Sequence, residues 1–324
     1  MYKVIGKNSI IFSACLLFLG CSGNPVLVST PITEEYPQLP RPDTTLNIKG
    51  LGPCHDNPDR SLLLNSNEPV TVLVHGCYGS AGRFRSLSKV LAYHGQQSAC
   101  FSYDDRDSMM VSSRQLADAI EEIESKMSSN KITVIGHSQG GLVSRKALVE
   151  TRDKPIKSNA NLELVTVSAP LSGIRAADAC ANSSLRKMTL GIMSFVCWVV
   201  SGDKWHEITY ASDYIQNPGK LTSSVQRHLL ITTDETNSCR NYDKSGKCIE
   251  DDFVFTLDEQ NLPGSKIDGS EKKIEIKAGH VEIVGSEGVI PNKLIKVLQQ
   301  EGLIRKTDHS RTAHFNTFLT HLYN

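Results

Sequence analysis

Ser138 stands between two glycines in Gly136-His137-Ser138-Gln139-Gly140, directly after the apolar run "KITVI" and before a helical pattern. A serine hydroxyl is a weak nucleophile at neutral pH, so it needs a base within hydrogen-bond reach and an acid to orient that base. His280 is the candidate base. It follows "KKIEIKA" and precedes a helix, which brings its imidazole to the same sheet edge as Ser138. The other histidines sit less well: His206 and His228 lie in or beside an inserted region, and His309, His314 and His321 follow the last core helix. For the acid, "EDDFVFTLDEQ" supplies Asp252, with Asp251 the alternative, because adjacent residues of an extended segment point to opposite sides. Asp234, at the end of "LLITTD", is a third option. An oxyanion would need backbone N–H donors. Gln139, just after the serine at a helix start, offers one, and Cys77 in "VHGCYGS" offers the other. Such a set performs acyl transfer through a covalent intermediate on Ser138. It calls for no metal and no organic cofactor.

These residues work only if a fold brings them to one edge, and the hydrophobic pattern describes such a fold. "VTVLVHG", "SACFSYDD", "KITVIG" and "LELVTVSAP" are short β-branched runs, the texture of strands buried on both faces. Between them, "AGRFRSLSKVLAYHG" and "SSRQLADAIEEIESKMSS" carry helical spacing, the second with Leu116, Ile120, Ile123 and Met127 on one face. Alternation of this kind signals βαβ units and an α/β fold, a mostly parallel, doubly wound sheet with helices on both faces. Ligand chemistry in such a sheet sits at the carboxyl ends of the strands. Strands resume after the insertion with "RHLLITTD" and "KKIEIKAGH", and "NKLIKVLQQEG" closes the core as a helix.

The domain organisation predicted is a signal segment over 1–20, a tether over 21–66, a folded domain over 67–305 with a cap inserted at about 171–226, and a tail over 306–324. The tether reading rests on the Pro, Thr, Asn and Asp content of 22–66. The cap contains Leu190, Ile192, Met193, Phe195, Val196, Trp198, Val199 and Val200, a cluster suited to an acyl or lipid surface or to core packing. The last twenty residues suit a peripheral amphipathic helix. Asn241, Asp243, Ser245, Gly246 and Asp252 fall at calcium-loop spacings, but the loop opens on Asn, closes on Asp and lacks flanking helices, which favours a hairpin turn.

The 324 residues carry 35 basic and 35 acidic side chains, a balance that leaves no electrostatic footprint for nucleic acid. Lys3 and Lys7 precede "SIIFSACLLFLG", an apolar stretch of signal-peptide type. Leu17-Phe18-Leu19-Gly20-Cys21 resembles a bacterial lipobox, which implies lipidation of Cys21, export to the cell envelope and attachment to a membrane. Ser22, rather than aspartate, after the cysteine implies the outer membrane. Cysteine usage agrees with an oxidising compartment. Cys239 and Cys248 flank the polar turn "RNYDKSGK" and suit a local disulfide, Cys180 with Cys197 is a weaker pair, and the odd remainder leaves at least one free thiol.

From Val70 to Leu303 the chain resembles an α/β-hydrolase of the lipase and esterase branch. "VHGCYGS" stands where those enzymes carry an oxyanion loop, "GHSQGG" where they carry the nucleophile elbow, and "VSAPLSGI" resembles the segment after the next strand. "DDFVF" is similar to their acid motif and "GHVEIV" to their histidine loop. Phe253 replaces the usual glycine after the acid, and Leu171-Ser172 replaces a histidine-containing pair. The resemblance implies a serine hydrolase of carboxylic esters acting through Ser138, Asp252 and His280, with a lipid or small ester as substrate. The same machinery suits an acyltransferase if a bound alcohol replaces water. A non-catalytic surface lipoprotein that keeps the fold is the reading from another class.

Overall fold

The computed structural model describes residues 36–150, 156, 158–175, 204, 206–263 and 271–324. Three short strands come first, β1 (Thr44–Leu46), β2 (Leu51–Gly52) and β3 (Leu62–Leu64). The apolar run Val70–Val74 forms β4, buried along its whole length. Helix α1 (Arg85–Tyr93), strand β5 (Gln97–Phe101) and helix α2 (Met109–Lys126) follow. Strand β6 (Lys131–His137) runs through Ser138 into α3 (Gln139–Ala147), and β7 (Asn161–Val167) comes next. After the short helix α4 (Asp213–Gln216) the chain forms β8 (Val225–Asp234), a hairpin of β9 (Cys239–Tyr242) and β10 (Cys248–Asp251), and the single turn α5 (Leu257–Gln260). Strand β11 (Glu271–Lys277) precedes α6 (Asn292–Gln300) and α7 (Thr312–Tyr323).

The main sheet has the order β11-β8-β7-β6-β4-β5-β2, with every neighbouring pair parallel except the edge pair β2 and β5. Strand alternation sends side chains to two separate cores. Val70, Val72, Val74, Ile132, Val134, Leu162 and Leu164 join one core with Leu116, Ile120 and Ile123 of α2. Leu73, Ile135, Val165, Val167, Leu229 and Ile231 join the other with α1, α6 and α7. This is the three-layer α/β-hydrolase arrangement, and each fully buried Leu, Ile or Val contributes about 1.5–3 kcal/mol to it.

Local chemistry sets the helix ends. Ser108 caps α2 by accepting from the Val111 N–H at 3.4 Å, and its hydroxyl donates to Glu207 at 2.7 Å. The C-terminal helix α7 buries Phe315, Leu319 and Tyr323, and Tyr93 of α1 stacks on Phe318.

Part of the segment whose composition reads as a tether belongs to the folded body. Leu46, Ile48, Leu51, Leu62 and Leu64 are buried, and β2 is an edge of the main sheet. Loop-like composition hid these strands because they are only two or three residues long. Cys54 and Cys100 form a disulfide that ties this segment to β5. Cys239 and Cys248 form a second, across the β9–β10 hairpin. Cys77 is the free cysteine among the described residues. The pairing considered for Cys180 and Cys197, and the apolar cluster Leu190 to Val200, lie outside the described residues. The hairpin turn is closed by Asp243, whose carboxylate accepts from the Ser245 and Lys247 N–H groups at 2.8 and 3.0 Å.

The 46-residue separation of Cys54 and Cys100 gives that disulfide about 4 kcal/mol in the chain-entropy model. Replacing both cysteines by Ala should therefore lower the free energy of urea unfolding by about 2–4 kcal/mol. An unchanged midpoint would show that the disulfide adds nothing to the stability of the body.

Candidate active site

Strands β4, β6, β8 and β11 lead into Cys77, Ser138, Asp234 and His280 at the carboxyl edge of the main sheet, whereas Asp251 and Asp252 lie at the end of β10 in the separate hairpin. Ser138 follows the central strand β6, with φ 56° and ψ −128°, a region that L-residues rarely enter. Its N–H donates to the Val167 carbonyl at 2.9 Å, and its own carbonyl accepts from Gly141 at 2.9 Å. The turn needs Gly140, because a Cβ there would sit 2.3 Å from the Val74 carbonyl oxygen and 2.4 Å from that of His75. Helix α3 can therefore press its first turn against β4, leaving the side chain of Ser138 at the strand tip.

His280 lies three residues beyond the end of β11 and is buried. Its Nδ1 is 3.0 Å from Oε1 of Glu235 and 2.9 Å from the Ser168 hydroxyl. An ionised carboxylate only accepts, so Nδ1 carries the proton and Nε2 is left as the base. Glu235 immediately follows β8 and is almost completely buried. Its Oε1 also accepts from Ser168 at 2.7 Å, and its Oε2 accepts from the N–H groups of Val254 and Phe255 at 2.6 and 2.8 Å. Burial pushes this carboxyl up, but the hydrogen bond and charge of His280 and the two backbone donors outweigh it, so the group sits below its ordinary value. Phe255 meets the His280 ring edge-on at 4.8 Å.

The acid at the imidazole is thus Glu235, and the expected Asp252 is elsewhere. The Asp252 carboxylate accepts from the Val281 N–H at 3.0 Å, the Glu282 N–H at 3.0 Å and Arg240 Nε at 2.6 Å. Asp251 is exposed and turns back to accept from the Phe253 N–H at 2.9 Å. Asp234 points outward to Lys277 at 3.0 Å, and the Thr236 hydroxyl, Lys277 and the Thr236 N–H hold it down at about 2. Strand alternation gives the reason: Asp234 and Glu235 face opposite sides of the chain at the tip of β8, and only the second faces His280. The signal was present in "TTDE", one residue past the aspartate weighed as the third option.

The neighbours of Ser138 are equally constrained. His137 donates from Nε2 to the His280 carbonyl at 3.0 Å, and burial, reinforced by the charge of His280, keeps its ring neutral. The N–H groups of Gln139 and Cys77 have no acceptor among the described residues, as donors to an oxyanion must not. Their side chains interlock. Cys77 Sγ lies 2.7 Å from Gln139 Oε1, and Gln139 Nε2 donates to the Asp105 carbonyl at 3.1 Å. The loop bearing Cys77 is pinned by Tyr78, at φ 53°, whose N–H donates to Asp105 Oδ2 at 2.6 Å.

Lys204 escaped sequence reasoning. Its ammonium group is buried and donates to Gln139 Oε1 at 2.5 Å, to Cys77 Sγ at 2.9 Å and to the Asp105 carbonyl. A lone lysine in "SGDKW" gives no pattern, so only the three-dimensional arrangement reveals it. A cavity of about 600 Å³ lies beside the same loop, lined by His75, Tyr103, Arg60 and Asp56, and touches none of Ser138, Glu235 or His280.

The family model described as palmitoyl protein thioesterase matches residues 69–233, just over half of the chain. The matched span holds Cys77, Ser138, Gln139 and Ser168 and stops short of Glu235 and His280. Among curated proteins none is similar to this chain at a significant level. Among solved structures, the Bacillus licheniformis lipase BlEst2 in its propeptide form is 16% identical, with a TM-score of 0.50 over 83% of this chain and 55% of that one. The mature form of that lipase is also 16% identical, with a TM-score of 0.46 over 82% of this chain and 100% of that one. A butyrate-bound esterase, Est2 of Thermogutta terrifontis, is 12% identical with a TM-score of 0.45, over 80% of this chain and 90% of that one. The likeness to the propeptide form shows the α/β-hydrolase fold.

Glu235→Gln should slow the reaction of Ser138 with a fluorophosphonate by about 10³-fold or more, the scale of loss when the partner of a catalytic histidine is neutralised. Asp234→Asn, one residue away, should leave the rate within about twofold. The reverse ranking would give the acid role to Asp234, the third option, instead of Glu235.

Proposed function

The chain belongs to the palmitoyl protein thioesterase family, and from that membership and the site geometry we propose a serine hydrolase that cleaves ester-type bonds of acyl chains. The observation that carries the reading is His280 Nδ1 held on the buried Glu235 carboxylate, with its ring 4.7 Å from that of His137, which precedes Ser138 on its strained turn. His280 Nε2 takes the proton of Ser138 as Oγ attacks the acyl carbonyl carbon. The oxyanion of the tetrahedral intermediate accepts from the N–H groups of Cys77 and Gln139. His280 then gives its proton to the departing alcohol or thiol, leaving an acyl-enzyme. Water, deprotonated by the same Nε2, hydrolyses that ester and restores Ser138. Glu235 keeps the proton on Nδ1 and stabilises the imidazolium formed at each step.

The substrate class proposed is a fatty acyl ester or thioester, including lipids. Fluorophosphonate labelling of the full chain, followed by turnover of acyl esters and thioesters of increasing chain length, tests both parts. Labelling that is lost in Ser138→Ala, with turnover that grows with chain length, is expected. A folded protein that fails to label, or that labels equally after Ser138→Ala, would sink the serine-hydrolase reading. A strict preference for short, water-soluble esters would remove the fatty acyl substrate.

The reading extends to location. The lipobox-like Leu17 to Cys21 and the disulfides of the folded body support an exported protein held to the outer membrane of a bacterial envelope through lipid on Cys21. In cells, Cys21→Ser should move the protein from the membrane fraction to the soluble one. A distribution that does not change would remove the anchor.

A further inference from the structure

Asp252 is buried, ionisable and only a short distance along the chain from the residues that face the imidazole, yet it does not touch the His280 ring. Its contacts are with the backbone that carries the ring. The His280 N–H donates to the Asp252 carbonyl at 3.0 Å, the Val281 N–H to both carboxylate oxygens at 3.0 Å, and the Glu282 N–H to Oδ2 at 3.0 Å. Three successive donors of the histidine loop therefore end on one residue. Two of them, on the N-cap Val281 and the first residue Glu282 of the 3₁₀ turn Glu282–Val284, are groups that a helical start leaves without partners. Gly279 makes room for the carboxylate, since a Cβ there would lie 2.1 Å from Oδ2.

A buried carboxylate needs a counter-charge or enough donors. Arg240 supplies the charge through Nε at 2.6 Å, and its Nη1 reaches Glu250 at 3.5 Å across the hairpin. Arg240 sits on β9 beside Cys239, and Asp252 directly follows β10. The disulfide of Cys239 and Cys248 joins the two strands that deliver this pair, and the Asp252 N–H donates to the Ser238 carbonyl at 3.3 Å. The hairpin is thus a bracket fixed to the loop of the base.

We propose that Asp252, charge-paired with Arg240 of the disulfide-closed hairpin, is a positioning residue that holds the His280 loop so that Nε2 is aimed at Ser138. It acts through the backbone, whereas Glu235 acts on the ring. The inference rests on the serine-hydrolase reading. Small displacements of a base are costly, on the order of 10²-fold for about 1 Å.

The test uses the full chain and a fluorophosphonate, with inactivation resolved into probe affinity and limiting rate. Asp252→Asn should lower the limiting rate by about 10- to 100-fold and Arg240→Ala by about tenfold, with affinity unchanged. Arg240→Lys should recover most of the loss, a rescue that general destabilisation would not give. Limiting rates equal to wild type in both Asp252→Asn and Arg240→Ala would overturn the proposal. A loss in Asp252→Asn as deep as that of Glu235→Gln would overturn it as well, by making Asp252 the acid itself. Should Asp252→Asn fail to fold by near-ultraviolet circular dichroism, the Arg240 variants decide alone, and an Arg240→Ala protein at the wild-type rate refutes the bracket. A wild-type protein that does not label fails the hydrolase reading instead, before any variant is compared.

Discussion

The backbone of Ser138 is the constraint on which the rest of the site depends. A non-glycine residue at φ 56° and ψ −128° costs about 1–3 kcal/mol and persists only where its surroundings leave no alternative. Here the surroundings are the sheet itself. Strand β6 lies between β4 and β7, so one neighbour bears the loop of Cys77 and the other bears Ser168. Ser168 repeats the pattern at φ 44°, its N–H on the Ile231 carbonyl at 2.9 Å and its hydroxyl on Glu235. Two adjacent strands therefore run into a strained serine, one the proposed nucleophile and one a hydrogen-bond partner of Glu235.

Charge follows the same geometry. Glu235 is buried yet ionised, because two backbone donors, the Ser168 hydroxyl and His280 replace the water it lost. His137 remains neutral under burial and the neighbouring His280, so it can serve as a fixed donor to the backbone of the base. The cation at the opposite wall, Lys204, is compensated by Asp105 Oδ2 at 3.7 Å and by the side chains of Gln139 and Cys77. Each buried charge has a partner drawn from a different strand or loop. The polar groups therefore fix the relative positions of the loops as well as their protonation.

What was legible in the sequence follows from distance along the chain. The β-branched runs at Val70–Val74 and Lys131–His137 specify buried strands by local pattern, and the glycines around Ser138 specify the turn from the second into α3. His280 could be placed because one strand and one helix flank it. The acid could not, because a disulfide hairpin between β8 and β11 brings a second carboxylate back to the same loop. Asp252 and Glu235 both end beside His280, one on its backbone and one on its ring, and no spacing rule separates those roles. The N-terminal strands escaped for a different reason: two or three residues are too few to show a period. Cys54 and Lys204 find their partners 46 and 127 residues away respectively, beyond the reach of any local motif.

The central claim is that Glu235, and not Asp252, holds the Nδ1 proton of His280. Proton NMR of the full chain reads that hydrogen bond directly, as a strongly downfield imidazole resonance. The resonance should be present in the wild type, persist in Asp252→Asn and vanish in Glu235→Gln. A resonance that vanishes in Asp252→Asn and persists in Glu235→Gln would contradict the account.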